Sequence, residues 1–216
     1  MDEVFRRRHL PHWDVPGATY FVTVCLHGSI PAAGLREIKE YRDELDGRPR
    51  PPSQTEVEWE RRKDKLVFAK LDEMLDNRPA VRILERREVA TIVRDSIFHF
   101  ANQRYRLLSY VIMPSHMHWV FQPISEWCAS LPADRTPREV IMHSLKSYTG
   151  SRCNEVLHSA GQFWQQESYD HWVRDDEELA RIIDYVEQNP VKAGLAATPS
   201  EYEMSSAHDR SSRRTG

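Results

Sequence analysis

Two histidines stand one residue apart in the run Tyr110-Val111-Ile112-Met113-Pro114-Ser115-His116-Met117-His118-Trp119-Val120-Phe121. The pattern reads as strand, tight turn at Pro114-Ser115, strand. Side chains two apart on a strand share a face, so His116 and His118 look one way with Val120. Met117, Trp119 and Phe121 look the other way, toward a core. Two imidazoles side by side on a rigid element suit a divalent metal. Two neutral histidines alone hold Mg²⁺ or Mn²⁺ weakly; they need an oxygen ligand and usually a substrate phosphate. A His-x-His pair can also be an ordinary sheet pair with no ligand. A one-sided pair on an otherwise apolar strand is harder to explain by packing.

An oxygen ligand and a nucleophile are both available in the stretch after Asp175. Leu179, Ile182, Ile183 and Val186 recur at helical spacing and form a buried stripe. Glu178, Arg181, Tyr185 and Asn189 form the stripe beside it. Tyr185 and Asn189 are four residues apart, one helical turn, so a phenol and an amide can face the histidines together. Other side chains compete for these roles. Tyr148 is a second tyrosine but has no Asn four residues later. His171 lies in a short extended piece, where packing explains it equally well.

The elements that must carry these residues follow from periodicity. Thr19 to Leu26 reads as a strand, with Tyr20, Val22, Val24 and Leu26 on one face and Phe21, Thr23 and Cys25 on the other. Residues 36–78 are highly charged and read as an inserted helical hairpin, broken at Asp46 to Ser53. Ala80 to Tyr105 is an amphipathic helix. Strands at Tyr105–Met113 and His116–Gln122 follow. A helix begins at Thr136-Pro137-Arg138-Glu139, a sequence suited to a capping box. A short strand covers 168–173, and a last helix is expected to stop at Asn189-Pro190, because the residue before proline avoids the α region. Residues 1–16 read as an irregular basic and aromatic surface arm, and 205–216 as a disordered tail. Together these predict one α+β domain over 1–204: a ferredoxin-like antiparallel sheet with helices packed on one face.

Composition sets limits on function. The chain has 216 residues, 40% hydrophobic and 29% charged, with a net charge of −3. Its pI is about 6.4, which argues against a protein that coats duplex DNA through bulk charge. Local basic groups remain: Arg6, Arg7, Arg8 and Trp13 in the arm, and Lys146, Arg152 and Lys192 further on, are candidates for phosphate contact and base stacking. The three cysteines are far apart and odd in number, so neither a disulfide framework nor a zinc knuckle is expected and a cytoplasmic setting fits. No apolar run approaches the roughly 18 residues of a membrane span, and the N-terminus does not read as a secretory signal.

Four segments, in order, resemble the single-strand DNA transposases of the HUH type with one catalytic tyrosine, and within them the REP-associated tyrosine transposases. They are Tyr20 to Thr23, Val111 to Val120, Phe163 to Gln165, and the run Asp184-Tyr185-Val186-Glu187-Gln188-Asn189-Pro190-Val191-Lys192-Ala193-Gly194-Leu195. The resemblance spans about Trp13 to Leu195. It implies a ferredoxin-like fold, Mg²⁺ or Mn²⁺ dependence, and cleavage and joining of single-stranded DNA near hairpins through a 5′-phosphotyrosine. Carried over by position, His116, His118 and Asn189 are metal ligands and Tyr185 is the nucleophile. Monomer and homodimer are both compatible with the sequence. The acidic balance and the 36–78 insertion depart from the family pattern and fit a domesticated hairpin-binding copy as an alternative. A second alternative is a metal-dependent hydrolase that uses water.

Overall fold

The computed structural model describes residues 4–7, 11–14, 17–77, 79–166 and 168–214. Two compact units are present. Residues 1–27 and 83–216 form one, and residues 28–82 the other.

The first unit is built on a four-stranded sheet. Its strands are β3 (Thr19–Cys25), β4 (Tyr105–Ile112), β5 (His116–Pro123) and β6 (Tyr169–Val173); β1 (Val4–Arg7) and β2 (Pro11–Asp14) pair separately as an antiparallel ribbon. The ribbon corrects the irregular arm expected for residues 1–16, at least over the two stretches described. In the sheet the order is β4-β5-β3-β6, with every neighbour antiparallel. The first strand of the sheet thus lies between the third and the fourth, and helices α3 (Arg87–His99) and α5 (Pro137–Val156) make the crossovers. That is the ferredoxin-like arrangement.

Central strands in this order need apolar residues on both faces. From His116 to Phe121, β5 is buried at every position. One face of β5 carries Met117, Trp119 and Phe121. Trp119 packs edge-on to Tyr105, and the two line a cavity together with residues of α3 and α5. The Tyr105 hydroxyl donates to the Ile97 carbonyl of α3 at 2.6 Å. The other face carries His116, His118 and Val120, and α6 (Asp176–Lys192) packs there against β4, β5 and β6. Helices therefore cover both faces, not one. A strand buried on both sides requires this, since an uncovered apolar face would stay in water.

β4 carries a register shift between Leu107 and Ser109. Leu107 pairs with Phe121, whereas Ser109 pairs with Val120 and Val111 with His118. The bulge turns Ser109 and Val111 onto the histidine face.

Several expected boundaries shift. The long helix over 80–105 is a 3-10 turn at Ile83–Glu85 followed by α3. A short helix α4 (Ser125–Ala129), not expected from periodicity, follows β5. Pro137 is in the first turn of α5, but the Thr136 side chain caps nothing and its hydroxyl has no hydrogen-bond partner. Residues expected to be disordered form α7 (Ser206–Arg214). The chain leading into α7 pairs along the outer edge of β4: the Ile112 amide donates to the Met204 carbonyl at 2.9 Å, and Val111 bridges Ser205.

The second unit is a helical hairpin, α1 (Ala32–Gly47) and α2 (Glu56–Asn77). Thr55 and Glu58 form a reciprocal capping box at the start of α2, with the Thr55 amide donating to Glu58 at 2.7 Å and the Glu58 amide to Thr55 Oγ1 at 3.3 Å. Charge pairs join the two helices. Lys63, only 4% exposed, has Asp46 and Glu60 each at 2.6 Å, and Arg42 contacts Asp46, Glu60 and Asp64. Burial opposes ionisation of Asp46, but Lys63 and Arg42 hold its carboxyl below the usual range.

Candidate functional site

Three strands and one helix converge at the histidine pair. His118 sits in register with Thr23 of β3 on one side and Val111 of β4 on the other, and His116 is opposite Cys25. Both histidines are essentially inaccessible, at 1% and 0% exposure. Their Nε2 atoms face each other at 3.2 Å. The opposite nitrogen of each ring meets a hydroxyl: His118 Nδ1 lies 2.8 Å from Thr23 Oγ1, and His116 Nδ1 lies 3.0 Å from Ser115 Oγ.

α6 delivers the rest. Its N-terminus is fixed by the Asp175 side chain, which accepts from the Glu178 amide at 2.7 Å, with Asp176, Glu177 and Glu178 in the first turn at the positive helix end. The helix does not stop before Pro190; it continues to Lys192. Pro190 lacks only the donor for the Val186 carbonyl, one bond in the last turn, and the Ala193 amide still reaches the Asn189 carbonyl at 3.0 Å. The helix ends with Gly194 at φ +69°, where the Leu195 amide returns to the Pro190 carbonyl and the Gly194 amide to the Val191 carbonyl.

This helix points Tyr185 and Asn189 at His118. Asn189 Nδ2 is 3.2 Å and the Tyr185 hydroxyl 3.5 Å from His118 Nε2, and Asn189 Nδ2 donates to the Tyr185 hydroxyl at 3.3 Å. Asn189 is 1% exposed, while Tyr185 is half-buried, so the nucleophile candidate keeps a path to solvent. Phe21 holds the Tyr185 ring edge-on at 5.9 Å and also packs against His118 at 5.6 Å.

The donor set fits a cation. Two Nε2 atoms 3.2 Å apart match two ligands on one metal, because bonds of about 2.1 Å at right angles or wider separate ligand nitrogens by about 3 Å or more. Asn189 Oδ1 is buried without a hydrogen-bond partner, an unusual state for an amide oxygen. The amide oxygen and nitrogen exchange places on a half-turn of the group, which brings the oxygen to the histidine side. His116, His118 and Asn189 could therefore hold a divalent metal with two nitrogens and one oxygen.

The remaining candidates lie apart from this cluster. Tyr148 is exposed on α5 and lines a cavity of about 420 Å³ together with Trp119, on the far side of the sheet. His171 Nε2 is 3.2 Å from Glu178, which ties β6 to the start of α6. The Lys146 ammonium donates to the carbonyls of Gln165 and Gln166 at 3.0 and 3.1 Å and holds that loop. Arg152 is an exposed residue ion-paired with Glu155, and Lys192 is exposed in the last turn of α6. Arg6, Arg7 and Trp13 fall on the β1-β2 ribbon, whose side chains are not described; Arg8 lies outside the described residues. Trp164, in the Phe163-Trp164-Gln165 segment, is buried and donates to Thr149 at 2.7 Å, a packing role.

The sequence reading missed Thr23, Ser115 and Phe21 as members of the site. A signal existed for two of them, since Phe21 and Thr23 share one face of their strand.

Comparison with known proteins bears on the fold and the family likeness. No protein-family model matches the chain. A protein of Haemophilus influenzae described as "Putative REP-associated tyrosine transposase" is 25% identical over 105 residues, which cover 48% of this chain and 60% of the relative. The chain thus spans about three fifths of the length of that relative. A solved structure of a REP-associated tyrosine transposase bound to a REP hairpin superposes with a TM-score of 0.55 at 18% identity, covering 96% of this chain and 85% of the other. That likeness carries the fold. In sequence over one stretch and in fold over nearly its whole length, this chain is similar to the REP-associated tyrosine transposases.

Proposed function

We propose that the protein is a metal-dependent single-strand DNA transposase of the HUH type that cuts and rejoins DNA beside hairpins, with Tyr185 as nucleophile and His116, His118 and Asn189 as metal ligands. One observation carries the reading: a half-buried tyrosine hydroxyl, a buried amide and two histidine nitrogens from distant parts of the chain meet within 3.5 Å. The hairpin-bound neighbour and the H. influenzae relative support DNA as the partner. Among the described residues no helix is long and apolar enough to cross a membrane.

The chemistry follows from the residues. A free phenol has a pKa near 10 and attacks poorly at neutral pH. Bound Mg²⁺ or Mn²⁺ would draw charge from the scissile phosphate. Phe21 fixes the Tyr185 ring edge-on, with its hydroxyl beside His118. Tyr185 oxygen forms the new bond to phosphorus as the bond to the 3′ oxygen breaks. The phenol proton is lost, the 3′ oxygen gains a proton, and a 5′-phosphotyrosine remains. Because the phosphodiester energy is kept in that linkage, a 3′ hydroxyl can reverse the step without a nucleotide cofactor.

Incubation with a labelled single-stranded hairpin and Mn²⁺ tests the reading. A protein-DNA adduct that survives denaturation and is absent with Tyr185→Phe is expected. Retained hairpin binding with no adduct from the unmodified chain would favour the binding protein, and cleavage without an adduct the hydrolase.

A further inference from the structure

The hydroxyl of Thr23 meets the ring nitrogen of His118 that faces away from the site. We propose that Thr23 is a positioning residue that sets the tautomer of His118, and through it the readiness of the pair for a metal. The inference rests on the metal reading above and adds to it a residue of a different strand.

Thr23 and His118 are both fully buried, in direct register across β3 and β5, with Oγ1 and Nδ1 2.8 Å apart. Water does not compete for this bond. A hydroxyl both donates and accepts, unlike a carbonyl or a carboxylate. With its proton turned toward Nδ1, Thr23 leaves the His118 proton on Nε2, where it faces His116 Nε2 and the Asn189 amide, each at 3.2 Å, with the amide oxygen turned inward. With its proton turned away, Thr23 accepts from Nδ1–H and leaves Nε2 a bare lone pair, the form a metal needs. A single hydroxyl rotation thus matches both states of the site.

Thr23→Val keeps the shape and β-branching of the side chain and removes the hydroxyl; Thr23→Ser keeps the hydroxyl. The full chain is used for both, with circular dichroism and thermal melting to confirm folding. Calorimetric titration with Mn²⁺ alone should show Thr23→Val binding about 10- to 100-fold more weakly than the unmodified chain, and Thr23→Ser within about threefold of it. In parallel, nitrogen-15 imidazole spectra of the metal-free protein report the His118 tautomer directly. The expected spectrum has the proton on Nε2 in the unmodified chain and in Thr23→Ser, and a tautomer mixture in Thr23→Val. Equal Mn²⁺ affinity in all three chains, or a His118 tautomer unmoved by Thr23→Val, would overturn the proposal. Absence of Mn²⁺ binding in the unmodified chain would instead overturn the metal reading, while the spectra still judge Thr23.

Discussion

Asn189 reaches His118 with its amide, and its oxygen finds no hydrogen bond. A neutral amide is a modest ligand for a hard cation, and ligand charge tunes such affinities strongly. Asn189→Asp should therefore tighten Mn²⁺ binding by about tenfold, and Asn189→Leu should weaken it. Calorimetry on the two variants checks the direction; tighter binding by the leucine variant would remove Asn189 from the ligand set. The hydroxyl of Tyr185 plays a different part. Its removal in Tyr185→Phe leaves the ring against Phe21, so Mn²⁺ and hairpin affinity should stay within about threefold, about 0.7 kcal/mol, while adduct formation is lost. At this scale the sequence was informative. The spacing of His116 to His118 and of Tyr185 to Asn189 follows directly from strand and helix periods. The shared face of Phe21 and Thr23 was legible, but the pairing of Thr23 with His118 was not, because contacts across a sheet depend on register, and register depends on tertiary pairing.

α6 is the element that turns these residues into one site. Its direction is set at both ends, by the Asp175 cap and by the Gly194 turn. Gly194 lies at φ +69°, a conformation that costs an L side chain about 1–2 kcal/mol. Nothing lies within 4 Å of a methyl placed there, so strain alone is being tested. Gly194→Ala should lower stability by about 1–2 kcal/mol in urea unfolding, without abolishing the fold. The end of this helix was misread from sequence for a physical reason. Proline excludes the α region from its predecessor as a tendency, and here the buried Asn189-Pro190 pair and the glycine turn outweigh it. At the start of α5 the Thr136 side chain makes no cap, and nothing in the structure explains it.

In the unit formed by residues 1–27 and 83–216, order extends further than composition suggests. The segment after Ser205 is polar and has no apolar stripe, so it reads as disordered. Its partners are polar groups far away in sequence. Asp209 joins Arg94 of α3 and the Tyr110 hydroxyl of β4, and Arg210 joins Glu187 of α6. Burial first, then the Asp209 hydrogen bond, pushes the Tyr110 hydroxyl well above the usual phenol range. Residues 202–206 also close the outer edge of β4, a row of backbone groups that would otherwise invite pairing with a second chain. Ending the chain after residue 201 should lower the urea midpoint and promote association, read by light scattering; equal stability and an unchanged molecular mass would show the edge needs no cover. The sheet order itself was legible, because alternating strands and helices leave few permitted topologies. The cover on both faces was not, since helical periodicity says which side of a helix is apolar but not which face of the sheet it meets.

All three scales meet in one claim, that Tyr185 becomes covalently joined to DNA. Digestion of the chain after incubation with a single-stranded hairpin and Mn²⁺, followed by mass spectrometry of the nucleotide-bearing peptide, tests it directly. The phosphodiester is expected on Tyr185 and none on Tyr148. A label on Tyr148, or cleaved DNA with every tyrosine unmodified, would contradict it.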